Sequence, residues 1–378
     1  MAIMIKKPEG TAGSAIPAIL VGLFVAFGGI LFGYDTGTIG GILAMPAWIN
    51  QFATDRNAAG APYVTSSQSA EIVSILSAGT FFGALTAAPA GDFLGRRFGL
   101  IASTAVFTLG VILQTAATEI PTFVAGRFFA GYGVGMLSAL VPLYQSETAP
   151  KWIRGAVVGA YQLAITIGLL IAAVVDNSTS NRNDSGAYRI PIAIQFAWAI
   201  ILVIGMLILP ETPRYLIRSG KLEQAARSLS RLRRLDVDHP ALVEELAEIT
   251  ANHEYELTLG KASYFDCFRG NIGKRLFTGC ALQALQQLTG VNFIFYYGTS
   301  YFKSAGFGNP FIISMITSAV NVGSTFPGLY LVEKWGRRWL LLFGAIGMTV
   351  CQLIVAIVGT VKGTEDVTAQ KTAVAFVW

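Results

Sequence analysis

The chain has 378 residues, of which 53% are hydrophobic and 13% charged; a soluble domain carries roughly 25% charge, so most of this chain cannot be dissolved in water. A net charge of +5 would point to a nucleic-acid partner only if the bases shared one soluble face. They fall instead in loops between long apolar runs, which excludes nucleic-acid binding. The three cysteines, Cys267, Cys280 and Cys351, are scattered, so neither a disulfide framework nor a metal site is expected.

In chain order, the first apolar run, 16–45, is too long for the core of a cleavable signal and contains a Gly-rich charged motif, so it is a first membrane span. Runs able to cross a hydrocarbon core, which takes about 20 helical residues, follow at 71–91, 97–117, 123–145, 155–175, 190–209, 275–301, 310–332 and 339–361, giving nine full spans. A tenth run starts at Ala373 and meets Trp378 before it can cross. With a cytoplasmic N-terminus, alternation places most of the 27 Lys and Arg inside, including Lys6, Lys7, Arg96, Arg97, Lys151, Arg154 and the bases from Arg214 to Arg275. Two sequons, at Asn177 and Asn183, then fall outside. The polar stretch 210–274 has Leu222, Ala225, Ala226, Leu229 and Leu232, then Leu242, Leu246 and Ile249, at helical spacing, which predicts short amphipathic helices on the inner face. The expected architecture is an all-α integral membrane protein: a six-helix bundle over 1–209, a cytoplasmic segment over 210–274, and an incomplete C-terminal bundle over 275–378.

An internal echo crosses that division. Gly91-Asp92-Phe93-Leu94-Gly95-Arg96-Arg97 follows the second span and Val332-Glu333-Lys334-Trp335-Gly336-Arg337-Arg338 the eighth, as in proteins built from two similar halves. Together with Gly33-Tyr34-Asp35-Thr36-Gly37, Gly126-Arg127 through Gly135, Glu147 to Gly155, Pro210-Glu211-Thr212-Pro213-Arg214 and Gln286-Gln287-Leu288-Thr289-Gly290-Val291-Asn292, these motifs make the chain resemble the sugar porter family of the major facilitator superfamily, most similar to fungal hexose transporters. The resemblance covers nearly the whole chain. It implies the major facilitator fold with three further spans in the second half, without which an alternating-access path does not seal.

Asp35 and Arg127 are read as the ionisable residues well inside spans. Either charge alone costs about 2.5–3.5 kcal/mol at a bilayer centre, so they should face inward and pair. The resemblance implies that they couple sugar movement to protons; a fixed ion pair holding two spans together is the simpler role. Gln162, Gln286, Gln287, Asn292 and Asn321 are amides within spans, able to donate and accept together, as sugar hydroxyls require. Amides also join helices, and the resemblance turns all five toward the sugar, with Tyr296 as wall or gate. Gly29, Gly33, Gly37 and Gly41 repeat every four residues in span one, a face on which another helix can pack closely.

At the inner span ends stand Asp92, Arg96, Glu147, Arg154, Glu211, Arg214, Glu333 and Arg337. The positive-inside bias accounts for the bases but not the acids. The resemblance implies a network of ion pairs that closes the cytoplasmic side and breaks on opening. Both histidines, His239 and His253, lie in the cytoplasmic segment, so no histidine proton relay crosses the membrane, and no Gly-Lys-Ser/Thr phosphate loop supports ATP-driven transport. The expectation is a multi-pass plasma-membrane carrier, not an enzyme, moving a hexose such as glucose with protons. Its partners are the monosaccharide, protons and the lipid bilayer; no cofactor, metal or obligate protein partner is implied. A facilitative uniporter and a non-transporting sugar sensor are the alternatives.

Overall fold

In hydrocarbon no water satisfies backbone N–H and C=O groups, so an apolar run must bond within itself, as a helix does. The computed structural model describes residues 12–56, 60, 62–258, 264–304 and 309–362 and is helical almost throughout. The first group of spans is α1 (Ile16–Ile42), followed by the short α2 (Pro46–Phe52), then α3 (Ser66–Leu94), α4 (Arg96–Ala116), α5 (Ile120–Thr148), α6 (Arg154–Thr179) and α7 (Gly186–Ile208). A polar connection forms α8 (Pro213–Arg218), α9 (Leu222–Arg233) and α10 (Pro240–Thr258). A second group follows: α11 (Gly270–Leu288), α12 (Val291–Ser304), α13 (Pro310–Lys334) and α14 (Arg337–Lys362). The only sheet among the described residues is a two-stranded hairpin, Asp55–Arg56 with Pro62–Tyr63, ahead of α3.

Local chemistry sets the ends. Thr65 and Gln68 form a reciprocal capping box at the start of α3, Thr65 Oγ1 accepting from the Gln68 N–H at 3.2 Å. Gly95 (φ +91°) and Gly336 (φ +78°) take the left-handed conformation between α3 and α4 and between α13 and α14. The repeated motif therefore makes the same sharp turn in both groups of spans.

Eight described helices are long and apolar enough to cross a membrane. The expected span over 275–301 is the exception: it is broken into α11 and α12, because Gly290 (φ +76°) ends the first helix. The tenth run, from Ala373, lies outside the described residues. Within the first group, α1 packs along α6, and α5 lies between α3 and α4. The glycine repeat is the α1–α6 seam. A Cβ on Gly33 would sit 2.0 Å from the carbonyl oxygen of Ile165, so the backbones touch there with no space for any side chain.

The polar connection is fastened to the first group. Ala225, Ala226, Leu229 and Leu232 of α9 are buried as their spacing predicts, while Leu222 is exposed. Arg233 pairs with Glu245 of α10 at 2.7 Å and donates to the Thr148 carbonyl at the end of α5. The two groups of spans meet through α1 with α12 and α6 with α13.

Candidate functional site

Asp35 of α1 and Arg127 of α5 meet in the interior of the first group. Arg127 Nη1 lies 3.2 Å from Oδ1 and 3.3 Å from Oδ2, and the two residues are 0% and 1% exposed. Each charge makes the other tolerable there. Buried Gln195 of α7, which the sequence did not single out, also reaches the carboxylate. Arg127 Nε and Nη2 have no hydrogen-bond partner among the described residues, so the guanidinium is only partly satisfied there.

Beside this pair opens a cavity of about 710 Å³, within the roughly 300–1,000 Å³ of small-molecule sites. All six residues expected to meet a sugar line it: Gln162 from α6, Gln286 and Gln287 from the end of α11, Asn292 and Tyr296 from α12, and Asn321 from α13. Phe32 and Thr36, flanking Asp35 along α1, form part of the same wall. Tyr296 lines the cavity and is near enough to Asp35 and Arg127 to feel both charges.

The broken span builds the polar side of this cavity. Where α11 stops, Thr289 Oγ1 donates to the Gln286 carbonyl at 2.6 Å, and Asn292 Nδ2 donates across the break to Gln287 Oε1. Irregular backbone is tolerable at membrane depth when it faces a cavity rather than lipid.

At the base-rich inner end, four of the eight expected gate residues come together. Arg96 is buried; its guanidinium lies 3.1 Å from Glu147 and 3.2 Å from Asp92, and it stacks over the Tyr215 ring. Glu211 accepts the backbone N–H groups of Arg96 and Arg97 at the start of α4, which places an anion at a helix N-terminus. Burial holds the Glu211 carboxyl above the ordinary glutamate range, against the opposing pull of those N–H groups and of Arg96. Thr212 and Arg218, not anticipated, complete the cluster: Thr212 Oγ1 donates to Glu147 at 2.6 Å, and Arg218 lies 2.7 Å from Asp92.

The other gate residues do not join it. Arg214 and Arg337 are exposed, Arg154 is half-buried with its Nε unpartnered, and none has an ion pair among the described residues. The Glu333 side chain lies outside the described residues. All the inner pairs formed lie within the first group of spans and the polar connection α8–α10, so no inner ion pair ties the two groups together among the described residues. At the opposite end they do touch, where Lys303 Nζ of α12 donates to the Ala44 carbonyl just past α1 at 3.1 Å.

Near the outer end of α6 stands a further buried carboxylate that the sequence did not single out: Asp176 is 2% exposed. The hydropathy run ends at 175, one residue short of it, whereas the helix continues to Thr179.

A family model described as "Sugar (and other) transporter" matches residues 21–378. The chain is 57% identical over 378 residues to the probable glucose transporter rco-3 of Neurospora crassa, covering 98% of this chain and 63% of that protein. It is 46% identical over 370 residues to the high glucose sensor RGT2 of Saccharomyces cerevisiae, covering 96% of this chain and 48% of that one. The chain thus spans about half to two-thirds of the length of these relatives. Among solved structures, the proton:xylose symporter XylE bound to 6-bromo-6-deoxy-D-glucose superposes with a TM-score of 0.78 at 24% identity, over 96% of this chain and 79% of that one, a likeness of fold. With the major facilitator fold and a family match running through both groups of spans, this multi-pass membrane protein belongs to the sugar transporter family, whose members are carriers rather than enzymes.

Proposed function

We propose that the protein moves a monosaccharide, a hexose such as glucose, across the plasma membrane by alternating access, with a proton carried on Asp35. The observation that carries this reading is the gathering of five amides and Tyr296 around one cavity beside the buried Asp35–Arg127 pair. Amides offer donors and acceptors to each sugar hydroxyl. Because the cavity is walled by both groups of spans, a bound sugar draws them together. Arg127, whose Nε and Nη2 are unpartnered among the described residues, can release Asp35 to a proton and recapture it when the proton leaves. Tyr296, facing both the pair and the cavity, links sugar occupancy to that exchange. The name of rco-3 supports glucose as the substrate.

The division into a first bundle over 1–209, a cytoplasmic segment over 210–274 and a second bundle from 275 supplies the moving bodies. The cluster of Asp92, Arg96, Glu147 and Glu211 acts as the inner latch of the first bundle. Arg154, Arg214, Glu333 and Arg337 join it when the cytoplasmic side closes.

Gln286→Leu tests the sugar site. It removes one set of hydrogen bonds and is expected to weaken glucose binding about tenfold, equivalent to about 1.4 kcal/mol. Glucose titration of the purified protein reads this directly, and unchanged affinity would move the site elsewhere. A second reading, a sensor that binds sugar without moving it, is favoured by the 46% identity to RGT2. Saturable binding without uptake would support it.

A further inference from the structure

α6 carries a carboxylate that the coupling scheme does not use. Asp176 lies at the outer end of the interface between the two groups of spans, where α1 and α6 meet α12 and α13 around a cavity of about 30 Å³. That space admits one species of water size or smaller. Asp176 Oδ2 is pressed against α1, since a Cβ on Gly41 would sit 2.1 Å from it. Its Oδ1 has no hydrogen-bond partner among the described residues.

The remaining polar walls of this cavity offer acceptors. Thr317 and Ser318 donate their hydroxyl protons to the carbonyls of Ile313 and Ser314, and Thr299 and Ser314 share a single 2.8 Å hydrogen bond, which leaves one of their two hydroxyl protons uncommitted. None of the four is hydrogen-bonded to Asp176, and no cation is paired with it among the described residues. On α1, Asp35 is paired with Arg127, and Tyr34 gives its hydroxyl to the Pro191 carbonyl. On α12 the one charged residue, Lys303, is turned to Ala44. The charged residues of α13, and Arg154 of α6, lie at the far ends of their helices. An ionised carboxylate shut into such a place has no counter-charge and no hydrogen bond to Oδ1 among the described residues, which is strongly unfavourable unless a positive guest enters.

We propose that Asp176 and this hydroxyl-lined cavity bind a monovalent cation, a proton or an alkali ion, taken up from outside as the two groups of spans close over it. The proposal rests on the alternating-access reading but not on coupling through Asp35. The bound cation favours the closed outer face and its loss favours the open one, so external cation sets the balance between them.

The test follows outer closure rather than transport. The full-length protein in proteoliposomes, with native cysteines replaced by serine, receives a cysteine at Ser300, which lines a pocket beside Leu43 and Tyr63. Its alkylation by an impermeant maleimide is measured without sugar, from acid to alkaline outer pH in choline buffer, and then with sodium or potassium at fixed pH, each rate divided by that of the same cysteine in detergent-unfolded protein to remove the thiol's own titration. Protection that grows on acidification identifies the proton, and protection that grows with sodium or potassium identifies an alkali ion. Asp176→Asn is expected to lose whichever dependence is found, and Thr299→Val with Ser318→Ala to weaken only an alkali dependence. The same dependence in wild type and Asp176→Asn overturns the proposal. So does a wild-type protein that binds sugar yet alkylates independently of every cation, an outcome that needs no variant to fold. Cation-dependent closure in protein that binds no sugar would count against the sugar reading and leave this one standing.

Discussion

Removing the Asp35 carboxylate leaves Arg127 charged and alone in the bundle interior, a defect of about 3–5 kcal/mol for a buried pair. Asp35→Asn is therefore expected to lower thermal stability and, with it, to end sugar accumulation. The double variant Asp35→Asn/Arg127→Leu removes both charges and is expected to recover most of the stability without recovering accumulation. Thermal unfolding in detergent and uptake in cells separate the two effects; recovery of both would reduce the pair to a structural clamp. These two residues were legible because a charge inside an apolar run has few reasons to be there, and the amides stood out likewise. Asp176 was not, because hydropathy fades one residue before it while hydrogen bonding carries the helix past it. Arg218 and Thr212 escaped notice for a different reason. Their partners, Asp92 and Glu147, are distant in sequence, and only packing of α8 against the inner ends of α3 and α5 brings them close.

The elements owe their positions to a few glycines. Along the α1–α6 seam, Gly33 has the Ile165 carbonyl where its Cβ would be. Gly33→Leu is expected to prevent the two helices from docking, seen as aggregation instead of a single peak on size exclusion. A well-behaved, active Gly33→Leu protein would show the seam to be far more pliant than its geometry. The four-residue glycine repeat made this contact face legible in advance, though not its partner, since a small-residue stripe says nothing of which helix it meets. The break at Gly290 was only half legible. A glycine inside a span weakens its helix, but a continuous apolar run over 275–301 reads as one span, and hydropathy is blind to backbone sign. Gly290→Ala puts a Cβ into the left-handed region at about 1–2 kcal/mol and biases α11 and α12 toward one straight helix. That shifts Gln286 and Gln287 relative to Asn292, so weaker glucose binding at unchanged expression is expected, and affinity equal to wild type would show that the break does not set the site.

At the scale of the whole molecule, the two groups of spans meet along α1–α12 and α6–α13, with Lys303 reaching the end of α1, while the ion pairs among the described residues join the first group and the polar connection and none crosses between the groups. Charge bias suggested the topology and the repeated Gly-Arg-Arg motif a two-part plan, because both are features of local sequence. Which of the inner charges are paired depends on the conformational state, and a single sequence serves every state. The central claim, that the cavity and the adjoining Asp35–Arg127 pair work together as a proton-driven sugar carrier, is tested most directly by radiolabelled glucose uptake. The full-length protein is expressed in transporter-deficient cells, with and without a proton uncoupler. Accumulation above the external concentration that collapses on uncoupling is the result expected. Uptake that merely equilibrates and ignores the uncoupler, or sugar binding with no uptake at all, would contradict it.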